Sequence, residues 1–235
     1  MYNNAITKAD AGNIQEALND VKLLNDQTAL NQISQHIYSN AIAKANKGNA
    51  QGALADVYWL NDQTKMNQIN NHIYNNAIAT VDAENIENAI NYINQTGNQN
   101  LINNVNQYVY DNAISIANSG RFNDSINYIS KVNNPSLVAD ITNIVKVLKV
   151  NGNYRYINKT SKIYGSEVLK FNVFYDNVTN TYINIQENYN YRNNYGNLNF
   201  DQILSIYSQL SNKYSEKFKS INEYYYFDNY NFPVY

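Results

Sequence analysis

Tyr38-Ser39-Asn40-Ala41-Ile42-Ala43-Lys44-Ala45-Asn46-Lys47-Gly48-Asn49-Ala50-Gln51-Gly52-Ala53-Leu54-Ala55-Asp56-Val57 is the stretch that decides the fold. Apolar residues spaced by three and four lie on both sides of Gly48, and that spacing predicts two helices meeting at a glycine corner. The same pattern begins 36 residues earlier, at Tyr2, and returns 36 and 72 residues later, at Tyr74 and Tyr110. Asn4, Asn40, Asn76 and Asn112 keep that period, as do Ala5, Ala41, Ala77 and Ala113, each followed by Ile. The segments starting at Tyr2 and Tyr38 are identical at about 23 of 36 positions. The third copy is looser, and the fourth keeps the apolar positions and little else. A fixed period of this size marks stacked helical units that bury their apolar faces against one another.

Each unit reads as a long helix A followed by a shorter helix B. The helix A series is Leu30, Ile33, Ile37 and Ala41, then Met66, Ile69, Ile73 and Ala77, then Ile102, Val105, Val109 and Ala113. Its expected length is about twenty residues. Gly12, Gly48 and Gly120 mark its end; the third copy has Glu84 there, and a different corner is expected at that point. Helix B runs through Ile14, Ala17, Leu18, Val21 and Leu24, and through Ala50, Ala53, Leu54, Val57 and Leu60. Asn25-Asp26-Gln27-Thr28 and its copy at 61–64 close helix B and offer Asp or Thr as the next cap. Ser136 to Val150 reads as a last helix A without its helix B. Asn151-Gly152-Asn153 is a turn signal and the predicted boundary between residues 1–150 and 151–235.

The corner Gly48-Asn49-Ala50-Gln51-Gly52-Ala53-Leu54, and Gly12 with Ala17, resemble those of the tetratricopeptide-repeat (TPR) family. Ala5, Ala41, Ala77 and Ala113, seven residues before the corner, resemble the family's small residue on its first helix. The resemblance covers about residues 1–150. The period is 36 rather than the family's usual ~34. The unit-ending proline is missing apart from Pro135. Asn4, Asn40, Asn76 and Asn112 stand where the family usually has a large apolar residue. The basic and Asn residues that clamp a peptide carboxylate in some members have no counterpart. The resemblance implies an αα-hairpin solenoid and protein binding, and names no ligand.

Beyond residue 153 the period changes from 3.6 to 2. Leu169, Phe171, Val173 and Tyr175 alternate with Lys170, Asn172 and Phe174. Ile183, Ile185, Tyr189 and Tyr191 alternate with Asn184, Gln186, Asn188 and Asn190. With Asp176 to Asn180 as the loop, this predicts an antiparallel hairpin with one buried face, and Tyr154 to Ile157 offers a third strand. Phe200, Ile203, Leu204, Tyr207, Leu210, Tyr214, Phe218 and Ile221 form a helical stripe, with Asn199 as N-cap. The expected fold is therefore mainly α: about four 36-residue helical repeats, then a small α+β domain that caps them and ends in an aromatic tail.

Composition narrows function more than it names it. Charged residues are 15% of the 235, and 48 are Asn, roughly one in five. A net charge of -2 argues against a general nucleic-acid binder. Absence of Cys removes disulfides and thiol chemistry. No apolar run suits a signal peptide or a membrane span, so the default expectation is a soluble cytoplasmic protein without a membrane partner. No phosphate-cradling or nucleophile motif reads from the chain, and neither a catalytic site nor a cofactor is expected.

His36 and His72 share one repeat position. A metal or pH switch is one reading; a packing residue copied by duplication is the other, favoured because Tyr108 replaces them in the third copy. Asn40, Asn76 and Asn112 are candidate interaction residues. As poor helix formers held mid-helix, they either face a ligand or form an amide ladder between repeats. The flanking Ala and Ile favour the ladder. Asp176, Glu187 and Lys170 loosely suggest a metal-dependent nuclease, without the Glu-x-Lys element such a site needs. Tyr224, Tyr225, Tyr226, Tyr230 and Phe232 are candidate interaction residues of the tail, since Tyr combines rigid area with a polar tip. The first reading is a non-catalytic binding or assembly scaffold whose partner is a protein or peptide, another copy of this chain included. The second is a structural component of a virus particle or surface layer. The third is an enzyme centred on the C-terminal domain.

Overall fold

The computed structural model describes residues 1–150, 152–164, 167–186 and 225–226. Among these residues nine helices precede a small sheet: α1 (Tyr2–Asp10), α2 (Ile14–Lys22), α3 (Gln27–Asn46), α4 (Ala50–Tyr58), α5 (Gln63–Asp82), α6 (Ile86–Asn94), α7 (Gln99–Asn118), α8 (Phe122–Ser130) and α9 (Pro135–Val150). Among them, no helix is long and apolar enough to cross a membrane. The chain divides into two compact units, Met1–Val109 and Tyr110–Tyr235. That break falls inside α7, whereas the change of sequence period lies at residues 151–153.

The first unit is a helical repeat. Helix A is 20 residues long in α3 and in α5, and helix B is 9 residues long in α2, α4 and α6. Caps fix the starts. The Asp26 carboxylate accepts from the Thr28 and Ala29 N–H groups, and Asp62 accepts from Lys65 N–H. Helix B stops earlier than its apolar series suggested. Leu24 and Leu60 fall in the turn after it, and both still pack on the core of the first repeat. There the chain turns through Asn25 (φ 49), Asn61 (φ 49) and Gly97 (φ 60), a left-handed position that Asn and Gly tolerate. Helix A packs on helix B within each pair and on the helix A of the preceding pair. Ile33, Ile37, Ile69 and Ile73 are fully buried, each worth about 1.5–3 kcal/mol of apolar transfer. Ala17, Ala41, Ala53, Ala77 and Ala89 are fully buried too, where a larger side chain would hold the helices apart.

One expectation fails at the third corner. Gly48 (φ +83) closes α3, with its N–H bonded to Ala45 O and the Asn49 N–H to Lys44 O. Glu84 (φ 62) closes α5 the same way, with bonds to Val81 O and, from Asn85, to Thr80 O. The corner is not rebuilt. Its hydrogen bonds hold a non-glycine residue in the left-handed region, at a cost of roughly 1–2 kcal/mol.

In the second unit α8 packs on α9, and α9 on β1. The small position of helix B is Ser125 here, and its buried hydroxyl donates to Ala113 O at 2.7 Å. Strands β1 (Tyr154–Tyr164), β2 (Glu167–Asp176) and β3 (Thr181–Gln186) form an antiparallel sheet in that order, with a register shift between Tyr156 and Asn158. A two-residue β4 (Tyr225–Tyr226) runs parallel to β3. The hairpin loop is where the sequence places it. The Asp176 carboxylate accepts from Val178 N–H, and Asn180 takes φ 57. The single buried face is not observed. Phe171, Asn172, Val173 and Phe174 are all buried, so both faces of β2 are covered at this point. Tyr154 and Tyr156 pack their rings on Phe174. Tyr189, Tyr191, the helical stripe at 200–221 and most of the aromatic tail lie outside the described residues.

Candidate functional site

The last residue of α1, α3, α5 and α7 carries a polar side chain: Asp10, Asn46, Asp82 and Asn118. In the first unit each of these accepts from the following repeat. Asp10 Oδ1 receives His36 Nε2 at 2.7 Å and Asn40 Nδ2 at 2.8 Å. Asn46 Oδ1 receives His72 Nε2 at 2.7 Å and Asn76 Nδ2 at 3.1 Å. Asp82 Oδ1 receives the Tyr108 hydroxyl at 2.7 Å. Tyr108 thus takes over the bond that the two His make, and this accounts for the exchange of residue type at one repeat position. Hydrogen bonds from His36 and then Asn40 hold the Asp10 carboxyl below its usual range.

Beside this row the two repeat interfaces diverge. In the first, Lys44 pairs with the buried Asp56 at 2.6 Å, as Lys8 pairs with Asp20 at 2.7 Å. The hydrogen bond to Asp20 raises the Lys8 pKa. In the second, the positions 36 residues after Lys44 and Asp56 are Thr80 and Tyr92. The buried Tyr92 hydroxyl donates to Ala45 O at 3.0 Å. Burial pushes its pKa up, and a bond from Asn76 opposes that. Gln95 stands where the first interface has the part-exposed Trp59. Its carboxamide accepts from Ala50 N–H at 2.9 Å and donates to Gly48 O at 3.1 Å, tying the start of α4 to the end of α6.

A cleft of about 520 Å³ lies between the end of α3, α5 and α6. It is lined by Ala45, Asn46, Gly48, Asn76, Ala79, Thr80, Asn88, Asn91, Tyr92 and Gln95. No lining side chain carries a charge at neutral pH. Asn88 and Asn91 sit one turn apart on α6, exposed, and make no side-chain hydrogen bond among the described residues. The cleft is of ligand-binding size, and its chemistry is that of uncharged donors and acceptors.

Of the residues singled out in the sequence, Asn76 lies in this cleft. Asn40 lies at the first interface. Asn112 is in the second unit and donates to the Tyr128 hydroxyl at 3.2 Å. Tyr225 and Tyr226 form β4, and Tyr224, Tyr230 and Phe232 lie outside the described residues. Asp176 caps the hairpin loop; Glu187 lies outside the described residues. Among the described residues no three His, Asp or Glu side chains gather as metal ligands would. Sequence reasoning missed Asn88, Asn91, Tyr92 and Gln95. The signal was present in the places where the third copy departs from the first two. Compared with protein-family models, with curated proteins and with solved structures, the chain finds no match.

Proposed function

We propose that the repeats are of the tetratricopeptide kind and that the protein is a non-catalytic binding or assembly scaffold holding a protein or peptide partner. The paired helices, the left-handed corners and the buried Ala17, Ala53 and Ala89 support the architectural part. The observation that carries the functional part is the neutral cleft at the second repeat interface, with the two unpartnered carboxamides of Asn88 and Asn91 on its wall. A solvated groove with unspent donors and acceptors, set on rigid helices, recognises a partner without transforming it.

The test is photo-crosslinking by the full-length protein in an extract of the cells that make it. A photoreactive residue is placed at Asn91, and in a control protein at the exposed Gln51 of α4. A protein trapped at position 91 and not at 51, which then binds the purified full-length chain, supports the reading. Equal trapping at both positions, or trapping at neither, overturns it.

A further inference from the structure

Among the described strands β1 lies at one edge of the sheet, with β2 on its inner side. On the outer side the Asn118 carboxamide accepts from Tyr156 N–H at 2.9 Å and donates to Tyr156 O at 3.0 Å. A neighbouring strand makes the same pair of bonds. This contact fixes the phase of the edge, because residues bonded to the partner strand alternate with residues whose main chain turns outward. Tyr156 turns outward, so its register partner Phe174 bonds to β3 and the adjacent Val173 bonds back to β1. Past the register shift, Val173 lies opposite Asn158. Counting on from that bonded pair, Lys159, Ser161 and Ile163 turn their N–H and C=O groups outward. Asn118 fills the edge at Tyr156; Ser161 and Ile163, further along, are exposed.

We propose that an extended, acidic segment of another protein adds to this sheet as a strand along Ser161 and Ile163. The inference concerns the second unit and is independent of the cleft in the first. Charge selects the partner. Residues 154–164 include Arg155, Lys159 and Lys162 and no acidic residue, and the exposed Lys170 is the register partner of Ser161. Of the nearby carboxylates, Asp140 of α9 is held by Lys159 at 2.8 Å, and Glu167 and Asp176 stand at the two ends of β2. Opposite charges on adjacent strands attract and like charges repel, so this edge admits an acidic strand and rejects a second copy of its own basic one. Apolar surface adds a second criterion. Ile163 is 77% exposed, and its register partner Val168 is 60% exposed. Together they form an apolar ledge at the free end of the β1–β2 pair, which a branched side chain on the added strand would cover. Main-chain bonds then supply affinity, while the lysines and the ledge supply choice.

The experiment is an NMR titration of ¹⁵N-labelled full-length protein with a blocked octapeptide of alternating valine and glutamate. One companion has lysine in place of glutamate. Two others are N-methylated, at every valine or at every glutamate. The acidic peptide should shift the amide resonances of Ser161 and Ile163 saturably, with a Kd on the order of 1 mM or tighter. At saturation it should slow hydrogen exchange at those two amides about tenfold. The lysine peptide should bind about tenfold more weakly. One N-methylated peptide should lose about tenfold in affinity and the other keep it, because only alternate residues of an added strand bond to the edge. Ser161→Pro should weaken binding about tenfold as well; proline is tolerated on an edge strand where the N–H faces solvent, so the sheet is kept. The methylated peptides test the same bonds from the partner's side. Unshifted amides, equal binding of the lysine peptide, equal effects of the two methylations, or wild-type affinity in Ser161→Pro overturns the proposal. Amides of Ser161 and Ile163 that become protected as the free protein is concentrated would show a second copy on the edge, and would overturn it too.

Discussion

The first two repeat interfaces share a backbone and differ in chemistry. Where α3 meets α1, the polar row is Asp10 with His36 and Asn40, and the flank is the Lys44–Asp56 ion pair. Where α5 meets α3, the row is Asn46 with His72 and Asn76, and the flank is Thr80, Tyr92 and Gln95. The buried residues beneath hardly change: Ile33, Ile37 and Ala41 become Ile69, Ile73 and Ala77. The difference teaches that stacking and surface chemistry are separable in this fold. The apolar face holds the period, and the polar rim is charged at one junction and neutral at the next.

The largest expected contrast lies between the two Asn of the row. Asn76→Leu takes one of two donors from Asn46, which keeps His72, and leaves the buried Tyr92 hydroxyl with one partner fewer. It should lower stability by roughly 1–3 kcal/mol in urea denaturation. Asn40→Leu removes a bond to the half-exposed Asp10, which water can replace, and should cost less than about 1 kcal/mol. Equal losses would mean that the interfaces do not differ in how they bury polar groups.

The corners sharpen the same comparison. A Cβ on Gly48 would meet nothing within 4 Å, so Gly48→Ala tests backbone strain alone and should cost about 1–2 kcal/mol. Glu84→Gly should raise stability by up to about 1 kcal/mol, since φ 62 is already paid for in strain. A destabilised Glu84→Gly protein would show that the Glu side chain has a role at its corner.

The smallest effect is in the response to acid. Hydrogen bonds from His36 and Asn40 lower the pKa of Asp10 from its ordinary 3.8. A lowered carboxylate stabilises the fold above its unfolded pKa, and that contribution is lost as pH falls through the folded value. From about pH 5 down to pH 3, wild-type protein should therefore lose more stability than Asp10→Asn, as read from urea midpoints. Asn46→Asp should add the same sensitivity at the second interface. Parallel curves for all three proteins would remove the charged–neutral distinction.

The sequence was readable wherever the cause is local. Asp26 and Asp62 cap helices because a carboxylate reaches N–H groups two or three residues ahead. Gly48 ends α3 because the left-handed region is open to glycine. The hairpin at Asp176 to Asn180 follows from turn chemistry of the same range. Glu84 misled, because glycine preference is worth only about 1–2 kcal/mol and the hydrogen bonds of the corner outweigh it. The buried run Phe171 to Phe174 misled as well, because period 2 reports one covered face and this strand has two.

Read alone, the chain shows the helical period, the small Ala of the first three helix pairs, the capped starts and the change to strands after residue 153. These follow from propensity, sterics and apolar spacing, which act over a few residues and repeat with the chain. Only the tertiary structure decided the partners of the carboxamides. Gln95 meets Gly48 and Ala50 across 47 and 45 residues, and Asn118 meets Tyr156 across 38. A carboxamide donates and accepts equally well with dozens of groups in an Asn-rich chain. Its choice is fixed by which backbone the packed helices bring within about 3 Å, and spacing along the sequence holds no record of that distance.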